Sequence, residues 1–190
     1  MSVTFISGQD FDQSAVSKNP LKTGEYEQCT FRNINFEHGD FSGFVFNECE
    51  FIGCNLSLIK LAHPAFREVI FNECKMAGLH FSDCNDFNLK FSFENCILNH
   101  SVFYKTDIRK TSFKNCQLTE VDFAECNLSS ASFTDCDLSG AIFDNTNLEG
   151  ADLRTSFNYQ IDPTANRLKN ARFSRNEVHG LLHNFKIKIE

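Results

Sequence analysis

Residues 96–153 read CILNH-SVFYK-TDIRK-TSFKN-CQLTE-VDFAE-CNLSS-ASFTD-CDLSG-AIFDN-TNLEG-ADL, one five-residue sentence repeated without a break. A large apolar side chain holds the third position of every unit: Leu98, Phe103, Ile108, Phe113, Leu118, Phe123, Leu128, Phe133, Leu138, Phe143, Leu148 and Leu153. The first position is mostly small, as in Cys96, Ser101, Thr106, Ala131 and Ala151, and the other three are mostly polar. A period of five fits neither the 3.6 of a helix nor the 2 of a strand, so no single regular element can bury this row. The chain must turn a corner in every unit.

Upstream, the same spacing runs through Tyr26, Phe31, Phe36, Phe41, Phe46, Phe51, Leu56, Leu61, Phe66, Phe71, Met76, Phe81 and Phe91, and fails at Asp86. Between Phe91 and Leu98 the phase slips by two residues. Phe11, Val16 and Leu21 keep the phase, but Lys18-Asn19-Pro20 reads as irregular, and an open stack of strands needs a cover. The expected layout is therefore an N-terminal cap over 1–25, a first stack over 26–92, a register slip at 93–97 and a second stack over 98–153. A loop, a last repeat, a helix and a tail then occupy 154–190.

With 190 residues, 42% of them hydrophobic, the chain can build one continuous core; 22 phenylalanines and no tryptophan mark a repeat rather than ordinary globular usage. No apolar run is long enough for a membrane span, and Met1 to Phe11 lacks the basic start and apolar stretch of a signal peptide, so a cytoplasmic protein is expected. A net charge of −7 argues for solubility and against direct nucleic-acid binding. The nine cysteines, Cys29, Cys49, Cys54, Cys74, Cys84, Cys96, Cys116, Cys126 and Cys136, all sit two residues before the large apolar position. That is the slot of a small inward-packing side chain, so neither metal nor cofactor is expected. His179 and His183 lie four apart without a third ligand in view and read as surface residues.

The pattern resembles the pentapeptide-repeat family, whose unit is commonly Ala-(Asp/Asn)-Leu-X-X; Ala151-Asp152-Leu153 and Cys136-Asp137-Leu138-Ser139-Gly140 match it directly. The resemblance implies an all-β solenoid, a right-handed quadrilateral β-helix with about four units per coil. The alternation of Phe with Leu or Ile agrees. A 20-residue coil stacks Phe103, Phe123 and Phe143 on one side, Phe113 and Phe133 opposite, and Leu98, Leu118 and Leu138 on a third, whereas a three-sided coil would set Phe on Leu at each level.

Beyond Leu153, Ser156 to Arg167 reads as a loop holding Asp162-Pro163, and Ala171-Arg172-Phe173 restores one unit. Ser174 and Glu177 form an S-x-x-E capping box ahead of Val178, Leu181, Leu182 and Phe185, a spacing that predicts a short amphipathic capping helix. The tail through Ile187 and Ile189 alternates apolar and basic residues like a half-buried strand. Together Val178, Leu181, Leu182, Phe185, Ile187 and Ile189 make the candidate interface of a two-fold homodimer joined through the C-termini.

This ending resembles the topoisomerase-protecting branch of the family, which includes Qnr-type and microcin-immunity-type proteins. That resemblance implies a non-enzymatic, cytoplasmic, dimeric DNA mimic that binds DNA gyrase or topoisomerase IV and modulates or protects it, with quinolone or toxin resistance as the outcome. The register leaves no room for the long projecting loops of many Qnr-type proteins. From Asn115 to Leu153 there are eight acids and no lysine or arginine. Glu120, Asp122, Glu125, Asp135, Asp137, Asp144, Glu149 and Asp152 all fall in outward slots, the candidate partner-binding surface. Two alternatives stand beside this: the acids follow from the repeat consensus, and the chain is a general protein-interaction scaffold. Mimicry requires the acids to share one side of the rod. No phosphate loop, nucleophile elbow or catalytic acid pair is visible, and a filled solenoid offers no cleft, so no enzymatic activity is expected.

Overall fold

The computed structural model describes residues 4–188. Every corner is written into the unit. Two residues after the central apolar residue i, the backbone takes a positive φ: 59° at His100, 54° at Glu120, 58° at Ser130, 67° at Gly140. A four-residue turn with a left-handed third position fits, and Ser101 N–H donating to Leu98 O at 3.0 Å closes one such turn. The residue before i often buttresses it. Asp122 Oδ1 accepts from Ala124 N–H at 2.8 Å, Asn127 Oδ1 from Ser129 at 3.2 Å and Asp137 Oδ1 from Ser139 at 3.1 Å. An Asp or Asn ahead of the central residue is thus a corner-former before it is a charge.

Four corners per coil give a right-handed, four-sided parallel β-solenoid. Side I carries strands β1 (Thr4–Ser7), β3 (Gly24–Glu27), β5 (Val45–Asn47) and β7 (Ala65–Arg67) in one parallel sheet. Side II is unbroken: β2 (Asp10–Asp12), β4 (Thr30–Arg32), β6 (Glu50–Ile52), β8 (Val69–Asn72), β9 (Phe91–Glu94), β10 (Ser112–Lys114), β11 (Ser132–Thr134), β12 (Asp152–Leu153) and β13 (Arg172–Phe173). Sides III and IV are held by single parallel bridges such as Ile97↔Gln117↔Asp137↔Phe157 and Val102↔Asp122↔Ile142. Nine rungs spaced ~4.8 Å make a rod about 40 Å long.

The axis is a column of rings. Phe93, Phe113 and Phe133 stack at centroid distances of 5.2 and 4.9 Å on side II, and Phe103, Phe123 and Phe143 at 5.3 Å each on side IV. The two ladders meet edge to face, with Phe113 against Phe103 and Phe123 at about 6 Å. Leu98, Leu118 and Leu138 line side III, fully buried. The inward slot two before i often holds a donor as well as a small side chain. Cys74 Sγ donates to Phe51 O at 3.4 Å, Ser101 Oγ to Met76 O at 2.9 Å and Thr146 Oγ1 to Phe123 O at 2.8 Å. Cysteine, serine and threonine therefore recur there because each satisfies a core carbonyl of the preceding coil.

All nine cysteines are free and buried. Burial pushes the Cys49 thiol up to about 11 and the Cys126 thiol to about 12. With every sulfur enclosed in the packed column, the folded protein at pH 8 should show almost no reaction with an aromatic disulfide reagent, and all nine thiols should react once it is denatured. Fast reaction of several thiols in the folded state would contradict the packing role.

Three expectations need correction. Within the expected cap over 1–25, the described residues from Thr4 on are not irregular: β1 pairs with β3, β2 pairs with β4, and Phe11 stacks on Phe31 at 5.1 Å, so the first coil is already there. Its third side is replaced by helix α1 (Gln13–Lys18), capped by Asp12 Oδ1 accepting from Ala15 N–H. The register slip does not lie at 93–97. Phe71 pairs with Phe93 and Lys75 with Ile97, 22 residues apart where other rungs are 20 apart, while Asn85 N–H still donates to Pro64 O in the unshifted register. The two extra residues therefore fall between Asn85 and Lys90. The failure at Asp86 and the slip are one event: a carboxylate cannot enter the core, so the chain bulges and Leu89 packs against the core instead. Phe93, not Phe91, then continues the side II ladder, and Phe91 fills the small slot.

The third correction concerns the capping box: the short C-terminal helix is there, as two 3-10 turns, Val178–Leu181 and His183–Phe185, but without its side-chain cap. Ser174 Oγ accepts from Asn176 N–H, and Glu177 turns away to accept from Asn158 N–H at 3.3 Å, so the capping box does not form. Gly180 packs flat on Tyr159, which leaves no space for a Cβ. Ile187 and Lys188 form no strand, and Ile189 lies outside the described residues.

Candidate functional site

Slot and side together locate each acid. Asp122 lies on side IV, with Glu125 and Asp144 at its far corner; Asp137 lies on side III, with Glu120 at the corner toward side IV and Asp135 at the corner from side II. Glu149 and Asp152 point elsewhere, at the corner between sides I and II and on side II. Six of the eight predicted acids therefore share the III/IV half of the rod, and two do not.

Pairing sharpens the division. Asp152 is gripped by Arg154 at 2.7 Å, with Arg172 at 4.0 Å, and Glu149 meets Arg167 at 3.0 Å. The Arg154 guanidinium holds the Asp152 carboxyl below its ordinary range against the opposing effect of partial burial. On the III/IV half, Glu125 meets Lys105 at 3.4 Å and accepts from Tyr104 Oη at 2.9 Å, and Glu120 lies 3.2 Å from His100. Asp122, Asp135, Asp137 and Asp144 form no ion pair among the described residues. Partial burial is the largest influence on Asp137 and raises its pKa, but hydrogen bonds from Ser139 and Asn158 outweigh it and leave the carboxyl below its ordinary value.

The same half carries exposed apolar side chains that the acid pattern did not single out. Ile142 follows Asp122 in one bridge column and is 50% exposed; Phe157 follows Asp137 and is 40% exposed; Tyr104 lies one coil below Ala124. Their signal is legible in the five-residue frame, as large apolar residues standing in outward slots. At the C-terminal end Leu181 packs partly on the core and Leu182 is half-buried, while Val178, Phe185 and Ile187 are exposed. His179 and His183 are exposed on the 3-10 turns, and no group of three potential metal ligands occurs among the described residues. No helix of the described residues is long and apolar enough to cross a membrane.

A filled four-sided parallel β-solenoid, patterned only on its outside, defines a class of non-globular repeat proteins. The chain belongs to the pentapeptide-repeat family: a profile of the pentapeptide repeat region matches residues 90–181, and one of eight pentapeptide repeats matches residues 29–63. Among solved structures it is similar to full-length QnrB1, a plasmid-mediated fluoroquinolone resistance protein, at 18% identity and a TM-score of 0.54, covering 98% of this chain and 99% of that one. A trypsin-treated form of QnrB1 gives 21% identity and a TM-score of 0.50, over 99% and 98% of the two chains. HetL, a pentapeptide repeat protein involved in heterocyst differentiation regulation from the cyanobacterium Nostoc, gives 14% identity and a TM-score of 0.40 over 90% and 84%. No curated protein matches the chain.

Proposed function

We propose that this chain is a non-enzymatic, cytoplasmic partner-binding solenoid whose III/IV half docks on the basic DNA-binding surface of a type II topoisomerase, DNA gyrase or topoisomerase IV. The observation that carries the reading is the gathering of Glu120, Asp122, Glu125, Asp135, Asp137 and Asp144 on one half of the rod, four of them without an ion-pair partner among the described residues. A narrow rod with negative charge along one half is complementary to a groove built for duplex DNA, and such fields steer association. The likeness to QnrB1 supports the choice of partner class, and the outcome would be protection from a drug or toxin, or modulation of the enzyme.

Val178, Leu181, Leu182, Phe185, Ile187 and Ile189 would join two copies end to end. That would place two acidic halves in one longer rod. With rings filling the axis, the fold has no interior left for a reacting substrate. A second reading, a general interaction scaffold, is favoured by Ile142, Tyr104 and Phe157 among the acids, since apolar anchors serve many partners.

Titration of the purified protein into a gyrase supercoiling assay, with and without a fluoroquinolone, tests the first reading. Inhibition or drug rescue at micromolar protein, weakened by added salt, is expected. No effect in either arm from a protein shown to be dimeric by sedimentation would leave the scaffold reading.

A further inference from the structure

The bulge that absorbs the two extra residues opens a groove of about 940 Å³ on the opposite side of the rod from the acidic half. Side I loses its ladder there. Its sheet stops at β7, and regular bridging resumes only at Asp107↔Asn127. The interruption leaves hydrogen-bond donors without acceptors. One coil earlier, Glu48 N–H donates to Arg67 O at 2.8 Å, and one coil later Asn127 N–H donates to Thr106 O at 2.8 Å. At the break, the corresponding N–H groups of Glu68 and Asp107 have no acceptor among the described residues. Both residues line the groove, on its two walls. A third donor joins them: Arg67 Nε is buried without a partner, its guanidinium 5.8 Å from the Phe87 ring centre.

The lining is mostly polar, but two exposed apolar side chains stand with it: Ile70, 46% exposed, lines the groove, and Phe87, 65% exposed, lies beside Arg67. Half of the lining charges are spent on one another, Lys90 on Glu68 at 2.9 Å and Arg109 on Asp107, and the rest, Arg67 and Lys110 against Glu48 and Asp86, balance in sign, so the groove has no strong net field to attract a highly charged polymer. What it lacks is acceptors, in extended array beside two exposed apolar side chains.

We infer that this groove binds an extended peptide segment of a protein partner. Main-chain carbonyls of the segment would accept from Glu68 and Asp107, one carboxylate side chain would reach Arg67, and an apolar neighbour would pack on Phe87 and Ile70. Strand addition at an interrupted ladder has this chemistry: backbone bonds supply affinity and one or two side chains supply choice. The groove faces away from the acidic half, so the two surfaces can be engaged together, and the inference does not depend on the identity of the topoisomerase partner.

The test pans random linear peptides displayed on phage against the intact protein, with counter-selection on its Arg67→Gln variant. Selected peptides should share an Asp or Glu next to an apolar residue, bind about tenfold more weakly to Arg67→Gln, and slow hydrogen exchange at the Glu68 and Asp107 amides. Phe87 is exposed, so Phe87→Ser keeps the coil folded and should also weaken binding if Arg67→Gln proves unstable. The inference is overturned if no peptide is enriched over the counter-selection, or if enriched peptides leave those two amides exchanging at the free rate.

Discussion

Replacing Phe113 by alanine should lower the free energy of unfolding by about 3–5 kcal/mol, the upper part of the range for a single core truncation. The ring is fully buried, lies between Phe93 at 5.2 Å and Phe133 at 4.9 Å, and meets Phe103 and Phe123 edge to face. Removing it takes away burial and four ring contacts together. The hole cannot close by collapse. On either side of it the rungs are pinned by β10 pairing with both β9 and β11, so neighbouring coils cannot slide inward without breaking the ladder. Urea unfolding followed by far-ultraviolet circular dichroism checks this, because the chain has no tryptophan to report by fluorescence. Phe87→Ala is the control: that ring is 65% exposed and its loss should change stability by less than about 0.5 kcal/mol. A Phe113→Ala loss below about 1 kcal/mol would mean that the ring column does not hold the coils together.

The repeat was legible because its signal is redundant. A buried residue every fifth position, with Phe stacked on Phe at 20, can be satisfied only by four short sides, and Phe103, Phe123 and Phe143 do stack as that spacing requires. What the pattern hid was local. Phe91 is apolar and in phase, so it reads as central, yet the two-residue bulge moves it to the small slot and gives the centre to Phe93. Apolar spacing cannot tell which of two nearby phenylalanines a bulge promotes. The short C-terminal helix was legible but its form was not: Val178, Leu181, Leu182 and Phe185 have helical spacing, and Gly180 against Tyr159 and the outward turn of Glu177 leave it as uncapped 3-10 turns. Tertiary contact with the last coil overrode a local signal.

The acidic site was half legible for a deeper reason. Eight acids and no base over Asn115 to Leu153 is a fact of the chain, but a linear stretch of two coils visits every side of the rod. The bases that neutralise Glu149 and Asp152 come from elsewhere in sequence and are brought alongside by the 20-residue stacking: Arg167 and Arg172 lie beyond the stretch, and Arg154 sits at its edge. Only the coil period, applied residue by residue, separates the acids that face one half from those that are already paired.

That separation sets the design of the decisive charge experiment. Asp122→Lys would be a poor test, because Asp122 Oδ1 accepts from Ala124 N–H at 2.8 Å and lysine would remove the corner's buttress along with the charge. Asn keeps an acceptor oxygen at the same place, so Asp122→Asn with Asp144→Asn removes two charges from side IV while leaving the corner intact. Against a topoisomerase partner the double variant should bind about tenfold more weakly, chiefly through slower association, and should show a shallower dependence on salt. Asp152→Asn, on side II and already paired with Arg154, should bind as the unchanged protein does. Far-ultraviolet circular dichroism and thermal unfolding must be the same for all three, so that a loss of binding reports charge and not fold. If the double variant binds normally while Ile142→Ser and Tyr104→Ser lose binding, the apolar residues on that half are the anchors, and the acids belong to the corners and the solvent.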